Sequence, residues 1–295
     1  MSFSSDVKNE LAAIENKACC MTQQARAMLL FGRECSPLGF SLLTENEAAA
    51  NRYAEAAALL SGIRPKVTTS ESGNRRVAVE DRSVAEDIYA ELSAVTNEKK
   101  QLSIGKIDRD CCRAAFLRGA FLSAGTVTNP DVEYHLEFSC PGKNLALELS
   151  ALLAEAGIEA KITKRNAANV VYIKKSETIE ELLTVMGATE QSLMLMGAKM
   201  YKDVRNTVNR RMNFENANMV RSAAAAAKQL EAIEKIRRKR GLDDLPDDLR
   251  SLAVLRLDNP EASTAELVKM LPDSLTVSGV NHRFQRIQRI AEEIK

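Results

Sequence analysis

Residues 1 to 190 hold the same pattern twice. "CCMTQQARAMLLFG" from Cys19 aligns with "CCRAAFLRGAFLSA" from Cys111 at an offset of 92 residues. "LLSGIRPKVT" from Leu59 aligns with "LLAEAGIEAKIT" from Leu152, which pairs Gly62 with Gly157 at an offset of 95. A duplication constrains the fold more than composition does: whatever unit one copy encodes, the other repeats, and each covers apolar surface of its twin. The drift between the offsets implies short loop insertions.

Each copy reads in one order. A helix of near-helical apolar spacing comes first, at 23–31 or 113–124. An extended run follows ("GFSLLT", "EYHLEFS"), then an Ala/Leu-rich helix at 47–60 or 144–156. Two alternating strands come next, "RPKVTT" with "RRVAVE" and "EAKITK" with "NVVYIK", the first pair joined by the turn "SGN". A helix closes each copy ("SVAEDIYAEL", "TIEELLTVM"). The unit is αβαββα, twice. The expected class is α+β: a pseudo-two-fold duplicated domain at 1–190 (repeats about 1–95 and 96–190), a linker at 191–220, and an all-α domain at 221–295.

The chain has 295 residues, enough for two or three domains. It contains no apolar run of the ~18–20 residues that cross a bilayer, and the opening "MSFSSDVKNELAAIENKACC" has neither the apolar core nor the cleavage site of a secretion signal. A cytoplasmic, nucleoid-associated protein is expected. The six cysteines suit a reducing compartment. They stand as Cys19-Cys20 and Cys111-Cys112 with Cys35 and Cys140, and none makes CxxC, so buried apolar thiols are expected and no metal or cofactor site. Net charge is +1, but residues 201–240 carry 11 Lys or Arg against 4 Asp or Glu; residues 201–295 together sum to about +4, leaving residues 1–200 at about −3. The N-terminal domain therefore lacks the positive field of a broad phosphate grip.

The paired helices resemble the LAGLIDADG homing-endonuclease family. In the second copy the nine-letter motif falls on 117–125, with Gly119 where two helix backbones must approach closely and Gly125 at the end. In the first copy it falls on 25–33, with Ala27 and Arg33 at the glycine positions. The resemblance implies an Asp or Glu at the eighth letter of each helix, because divalent metal between scissile phosphates needs paired carboxylates. Here those positions are Gly32 and Ala124, which cannot ligate metal through a side chain, and Glu34 has Thr126 as its repeat-mate. No catalytic residue is assigned.

The C-terminal part changes character. "GATEQSLMLMGAKMYKDVRNTVNRRMNFENANMVRS" reads as a helix and then a linker; its Arg210 and Arg211 could meet phosphates or be solvated. "NANMVRSAAAAAKQLEAIEKIRRKRG" is a helix stopped by Gly241. Its Arg237, Arg238, Lys239 and Arg240 suit the helix C-terminus electrostatically and could equally lie against DNA. A further helix ends before Pro260, and Ser263 to Glu266 form a capping box that opens "TAELVKM". The turn "LPDSL" and a final helix complete a helix-turn-helix. On that helix Val277, Val280, Phe284, Ile287 and Ala291 form the core face. The assigned DNA contacts are Ser263, Thr264, Thr276, Ser278, Asn281, His282, Arg283, Gln285, Arg286 and Arg289, side chains suited to base edges and phosphates.

The combination resembles the WhiA family from end to end, in "MSFSSDVKNELA", the "CC" before each degenerate motif, "NRRMNFENAN" and "LTVSGVNHRFQRI". That resemblance implies a non-enzymatic DNA-binding regulator with roles in cell division, chromosome segregation and, where the host sporulates, sporulation. Double-stranded DNA is the expected partner, with a second regulatory protein as a candidate for the N-terminal domain and neither membrane nor small-molecule substrate. The competing readings are an endonuclease with non-standard carboxylates and a protein-interaction module that binds DNA only secondarily.

Overall fold

The computed structural model describes residues 2–94, 102–166, 168–271 and 275–294. The chain divides into two compact units, Met1–Asp203 and Val204–Lys295. The repeat boundary near 95–96 and most of the "LPDSL" turn lie outside the described residues.

In the first unit, helix α1 (Phe3–Ala13) buries Phe3, Val7 and Leu11 at helical spacing. The repeats follow as α2 (Ala18–Leu30), β1 (Glu34–Ser36), β2 (Gly39–Thr44), α3 (Glu47–Ser61), β3 (Val67–Thr69), β4 (Arg75–Val79) and α4 (Arg82–Ala94). The second copy is α5 (Asp110–Ala124), β5 (Gly125–Val127), β6 (Leu136–Cys140), α6 (Lys143–Glu155), β7 (Lys161–Arg165), β8 (Ala168–Ile173) and α7 (Ser176–Met186). The sheets are antiparallel with matching orders, β1-β2-β4-β3 and β5-β6-β8-β7. Each copy thus carries one strand more than the sequence pattern indicates. β1 and β5 span three residues apiece, too few for alternation to register.

Equivalent residues set equivalent geometry. Gly62 ends α3 at φ 73° and Gly157 follows α6 at φ 80°, the left-handed region that glycine enters without strain. In the central strands Phe40 and Leu42 face Val79 and Val77, as Leu136 and Phe138 face Ile173 and Val171. These apolar faces are buried.

The central pair is α2 against α5, continuously buried over residues 24–30 and 115–122. A Cβ on Gly119 would overlap the Gln24 carbonyl oxygen and stand 2.9 Å from the Ala27 Cβ, so the backbones approach as the motif requires. Ser123 Oγ donates to the Met28 carbonyl across the pair (2.9 Å). Two buried arginines at the repeat offset tie the pair to neighbouring segments. Arg118 donates to the Met186 carbonyl (2.8 Å) and Arg26 to the Ile104 carbonyl (3.3 Å).

The "CC" pairs open these helices. Their four sulfurs all lie within 4.8 Å of one another. The lack of CxxC therefore does not dispose of a metal: spacing along the chain registers only ligands that are sequence neighbours, and packing here joins pairs 92 residues apart. The Cys20 sulfur draws the Cys19 thiol below its ordinary range, while burial pushes Cys20 up to about 12.

Helix α8 runs from Thr189 to Lys239. The expected linker at 191–220 is thus helical, not an interruption. Its Asn and Arg residues carry only a mild penalty in a helix, so a polar run of this kind need not break one. The first unit's contacts also reach past residue 190. Leu195 is buried in its core, Lys199 pairs with Glu177, and Lys202 Nζ donates to the Pro130 carbonyl (2.6 Å).

The second unit joins the C-terminal part of α8 to α9 (Asp247–Asp258), α10 (Thr264–Met270) and α11 (Val277–Glu293), with a short 3-10 turn at Leu242–Asp244. Ile233, Ile236, Leu249, Leu252, Leu267, Val280, Phe284 and Ile287 form its core.

Candidate nucleic-acid interface

Helix α11 starts at Thr276, whose Oγ1 accepts the Gly279 N–H (3.2 Å). Val280, Phe284, Ile287 and Ala291 are buried, as expected, but Val277 is 44% exposed. It occupies the first turn, beyond the reach of the core. The opposite face presents Ser278, Asn281, His282, Gln285, Arg286 and Arg289 to solvent. This stripe offers amides and an imidazole at Asn281, His282 and Gln285 and guanidinium groups at Arg286 and Arg289, donors suited to base edges and phosphates.

Arg283 departs from the stripe. Its side chain is 19% exposed, with Nε 3.6 Å from Asp248 Oδ2 of α9, and Arg286 Nη1 reaches the same oxygen at 3.1 Å. One carboxylate thus orients two cations. The Arg286–Asp248 pair is solvent-exposed, and an exposed ion pair is weak and yields readily to a phosphate.

Ser263, Thr264 and Thr276 sit at helix starts. Ser263 Oγ accepts the Glu266 N–H (3.3 Å), and the Glu266 carboxylate accepts the Ser263 N–H (2.8 Å). The Ser263 backbone N–H, then its hydroxyl, hold the Glu266 carboxyl below the usual carboxylate range. Because that pKa is lowered on folding, the carboxylate's share of the cap is present at neutral pH and is lost as pH falls through the lowered value. The structure thus gives Ser263 a capping role. Ser263→Ala is expected to cost the second unit about 1 kcal/mol in urea unfolding.

The interface rests on a side chain that the sequence reading passed over. Arg256 of α9 is 1% exposed. Its Nε donates to Gln229 Oε1 of α8 (3.0 Å), and its Nη1 donates to the Asn259 and Ala262 carbonyls between α9 and α10. Its guanidinium lies 5.4 Å from the centre of the Phe284 ring. It ties α8, α9, α11 and the α9–α10 loop together behind the exposed stripe. In sequence it is one arginine among many, and only its place on the apolar face of α9 could have marked it.

The remaining basic candidates are spread along α8. Arg210 and Lys239 make no ion pair among the described residues. Arg211 pairs with Glu215 (2.8 Å), Arg237 and Arg238 with Glu234 (2.9 and 3.7 Å), and Arg240 with Asp244 (3.6 Å). Arg237, Arg238 and Lys239 complete the last turn, where they favour the helix dipole. Arg210 and Arg211 stand roughly 40 Å from them along the helix axis, so the structure does not gather the six into one patch.

In the first unit the eighth positions of the two motifs differ in their surroundings. A Cβ on Gly32 would stand 2.8 Å from the Ser41 carbonyl oxygen and 2.9 Å from the buried Tyr53 Oη, which leaves no room for a carboxylate. Ala124 is half-buried at the end of α5. Among the described residues no helix is long and apolar enough to cross a membrane.

Two family descriptions match the chain: the WhiA LAGLIDADG-like domain over residues 113–205 and the WhiA C-terminal HTH domain over residues 208–291. A probable cell division protein WhiA of Clostridium botulinum (strain Eklund 17B / Type B) is 33% identical, the alignment covering 100% of this chain and 99% of the relative. That of Ruminiclostridium cellulolyticum is 35% identical over 100% and 98%. The crystal structure of full-length DUF199/WhiA from Thermatoga maritima superimposes with a TM-score of 0.60 at 26% identity, covering 100% of this chain and 99% of that one.

Proposed function

The chain belongs to the WhiA family, and from that premise we propose that it is a non-enzymatic, sequence-specific DNA-binding regulator of cell division that inserts α11 into the major groove. The observation that carries this reading is the exposed stripe of Ser278, Asn281, His282, Gln285, Arg286 and Arg289 on a helix whose other face is locked in a core. The names of the relatives, probable cell division proteins, support the biological role. Chromosome segregation, sporulation in a host that sporulates, association with the nucleoid and a second regulatory protein docked on the first unit belong to the same proposal.

The test begins with genomic fragments selected by the full chain. Replacing Asn281, His282, Gln285 and Arg289 together by Ala is expected to weaken binding to the selected fragments at least tenfold, roughly the worth of one lost bidentate base contact. Binding to random DNA should change less. All four side chains are exposed, so the fold should survive. Unchanged discrimination between selected and random fragments would remove α11 as the reader. Arg289→Ala alone should lower the salt slope of binding by about one if it meets a phosphate.

The endonuclease reading makes a separate prediction: supercoiled plasmid would be nicked with Mg²⁺ or Mn²⁺. The crowding at Gly32 supports the opposite outcome, plasmid left intact by the full chain with either ion. Site-specific nicking would reverse that part of the proposal.

A further inference from the structure

The first unit holds a cluster for which DNA recognition has no use. Cys19 and Cys20 occupy the first turn of α2, and Cys111 and Cys112 the first turn of α5. Packing of the two repeats brings their sulfurs together, all within 4.8 Å, with Cys19 Sγ and Cys20 Sγ 3.7 Å apart. Four thiolates bound tetrahedrally at about 2.3 Å from one metal stand roughly 3.8 Å from one another. The cluster therefore already has close to the edge length of that tetrahedron, and modest rotation of the side chains completes it.

The surroundings also suit a metal. Each buried cysteine turns toward the opposite repeat: Cys20 Sγ lies 3.4 Å from the Cys111 carbonyl oxygen, and Cys112 Sγ lies 3.4 Å from the Cys19 carbonyl oxygen. Cys19 and Cys111 are exposed, which leaves an entry path, and Cys20 and Cys112 are buried, which shields the site from behind. Four thiolates around a divalent ion carry a double negative charge. Lys17 and Arg109 are the N-cap residues of α2 and α5, two positions before Cys19 and Cys111, and both helices begin at the cluster, where their first N–H groups have no partner within the helix. A disulfide within either pair is disfavoured, because adjacent helical residues cannot reach its dihedral angle.

We propose that Cys19, Cys20, Cys111 and Cys112 form a tetrathiolate site for Zn²⁺ that fastens the two repeats together at the N-terminal ends of α2 and α5. Each thiol releases its proton to solvent as the metal binds. The ion would play a structural role, because all four positions are filled by protein and none is open to substrate.

The experiment uses the full chain, reduced and stripped of metal by chelation. Titrated Co²⁺ should give the intense visible bands of a tetrahedral thiolate site and a thiolate charge-transfer band, saturating at about one ion per chain. Added Zn²⁺ should bleach both, shield four of the six thiols from an alkylating reagent and raise the melting temperature. Cys35 and Cys140, outside the cluster, serve as internal controls. Cys19→Ser combined with Cys111→Ser changes only exposed side chains, so it should keep the fold and lose the Co²⁺ spectrum. Three results would overturn the proposal: a reduced, folded chain that gives no thiolate charge-transfer band, a double variant that keeps it, or a protein whose isolated form holds iron with acid-labile sulfide in place of zinc.

Discussion

Gly119→Ala is expected to destabilise the first unit by about 3 kcal/mol, at the upper end for overpacking a core, because the added methyl meets backbone and not a movable side chain. Its Cβ would overlap the Gln24 carbonyl oxygen and press on the Ala27 Cβ. The clash can be relieved only by separating α2 from α5, and around the crossing residues 24–30 and 115–122 are buried without interruption. Calorimetry of the full chain should show the first unit's transition fall by roughly 6–12 °C, given ~2–4 °C per kcal/mol for a unit of this size. Gly197→Ala provides the control. It lies in α8 with nothing within 4 Å of its would-be Cβ, so the same substitution should stabilise by up to about 1 kcal/mol through helix propensity. Opposite signs for one chemical change would isolate close approach as the cause. A Gly119→Ala protein that melts with the wild type would mean that the helices do not meet as described.

Arg256→Met is expected to cost the second unit about 3 kcal/mol. Met matches much of the volume but leaves Gln229 Oε1 and the Ala262 carbonyl without their donor, while the Asn259 carbonyl keeps the Ala262 N–H; a buried orphan costs ~1–3 kcal/mol. Relief of the guanidinium's own desolvation, which lowers its pKa, offsets part of this loss. Arg256→Lys should recover only part of it, since an ammonium cannot reproduce the planar fork or the stacking on Phe284. Hydrogen exchange should quicken in α9, α10 and α11 together, and DNA binding should weaken although Arg256 faces no solvent. If both variants unfold in urea like the wild type, Arg256 is a passenger and the scaffold behind α11 rests on its apolar core alone.

How much of this was legible beforehand depends on the reach of each signal. The capping box at Ser263 and Glu266 is written in adjacent residues and forms as read. The spacing of Val280, Phe284, Ile287 and Ala291 identified the buried side of α11 correctly, while Val277 failed because a terminal turn extends beyond the core that periodicity presumes. Strands β1 and β5 were invisible because three residues carry no period. The continuity of α8 through 191–220 is hidden for a different reason: polar composition suggests a break, although Asn and Arg carry only a mild helix penalty and the helix continues through them.

The sequence by itself determined the duplication, the helical or extended character of most segments, the glycine at the helix crossing and the polar face of the last helix. All of these are encoded within a few residues or by direct comparison of one copy with the other. Tertiary structure alone decided that two cysteine pairs would meet, that Asp248 would hold two arginines of another helix, that Arg256 would be buried under Phe284, and that position 32 would have no space for a carboxylate. These are distances between side chains on different elements, and they are fixed by how packed surfaces fit together, a quantity that no local pattern of residues carries.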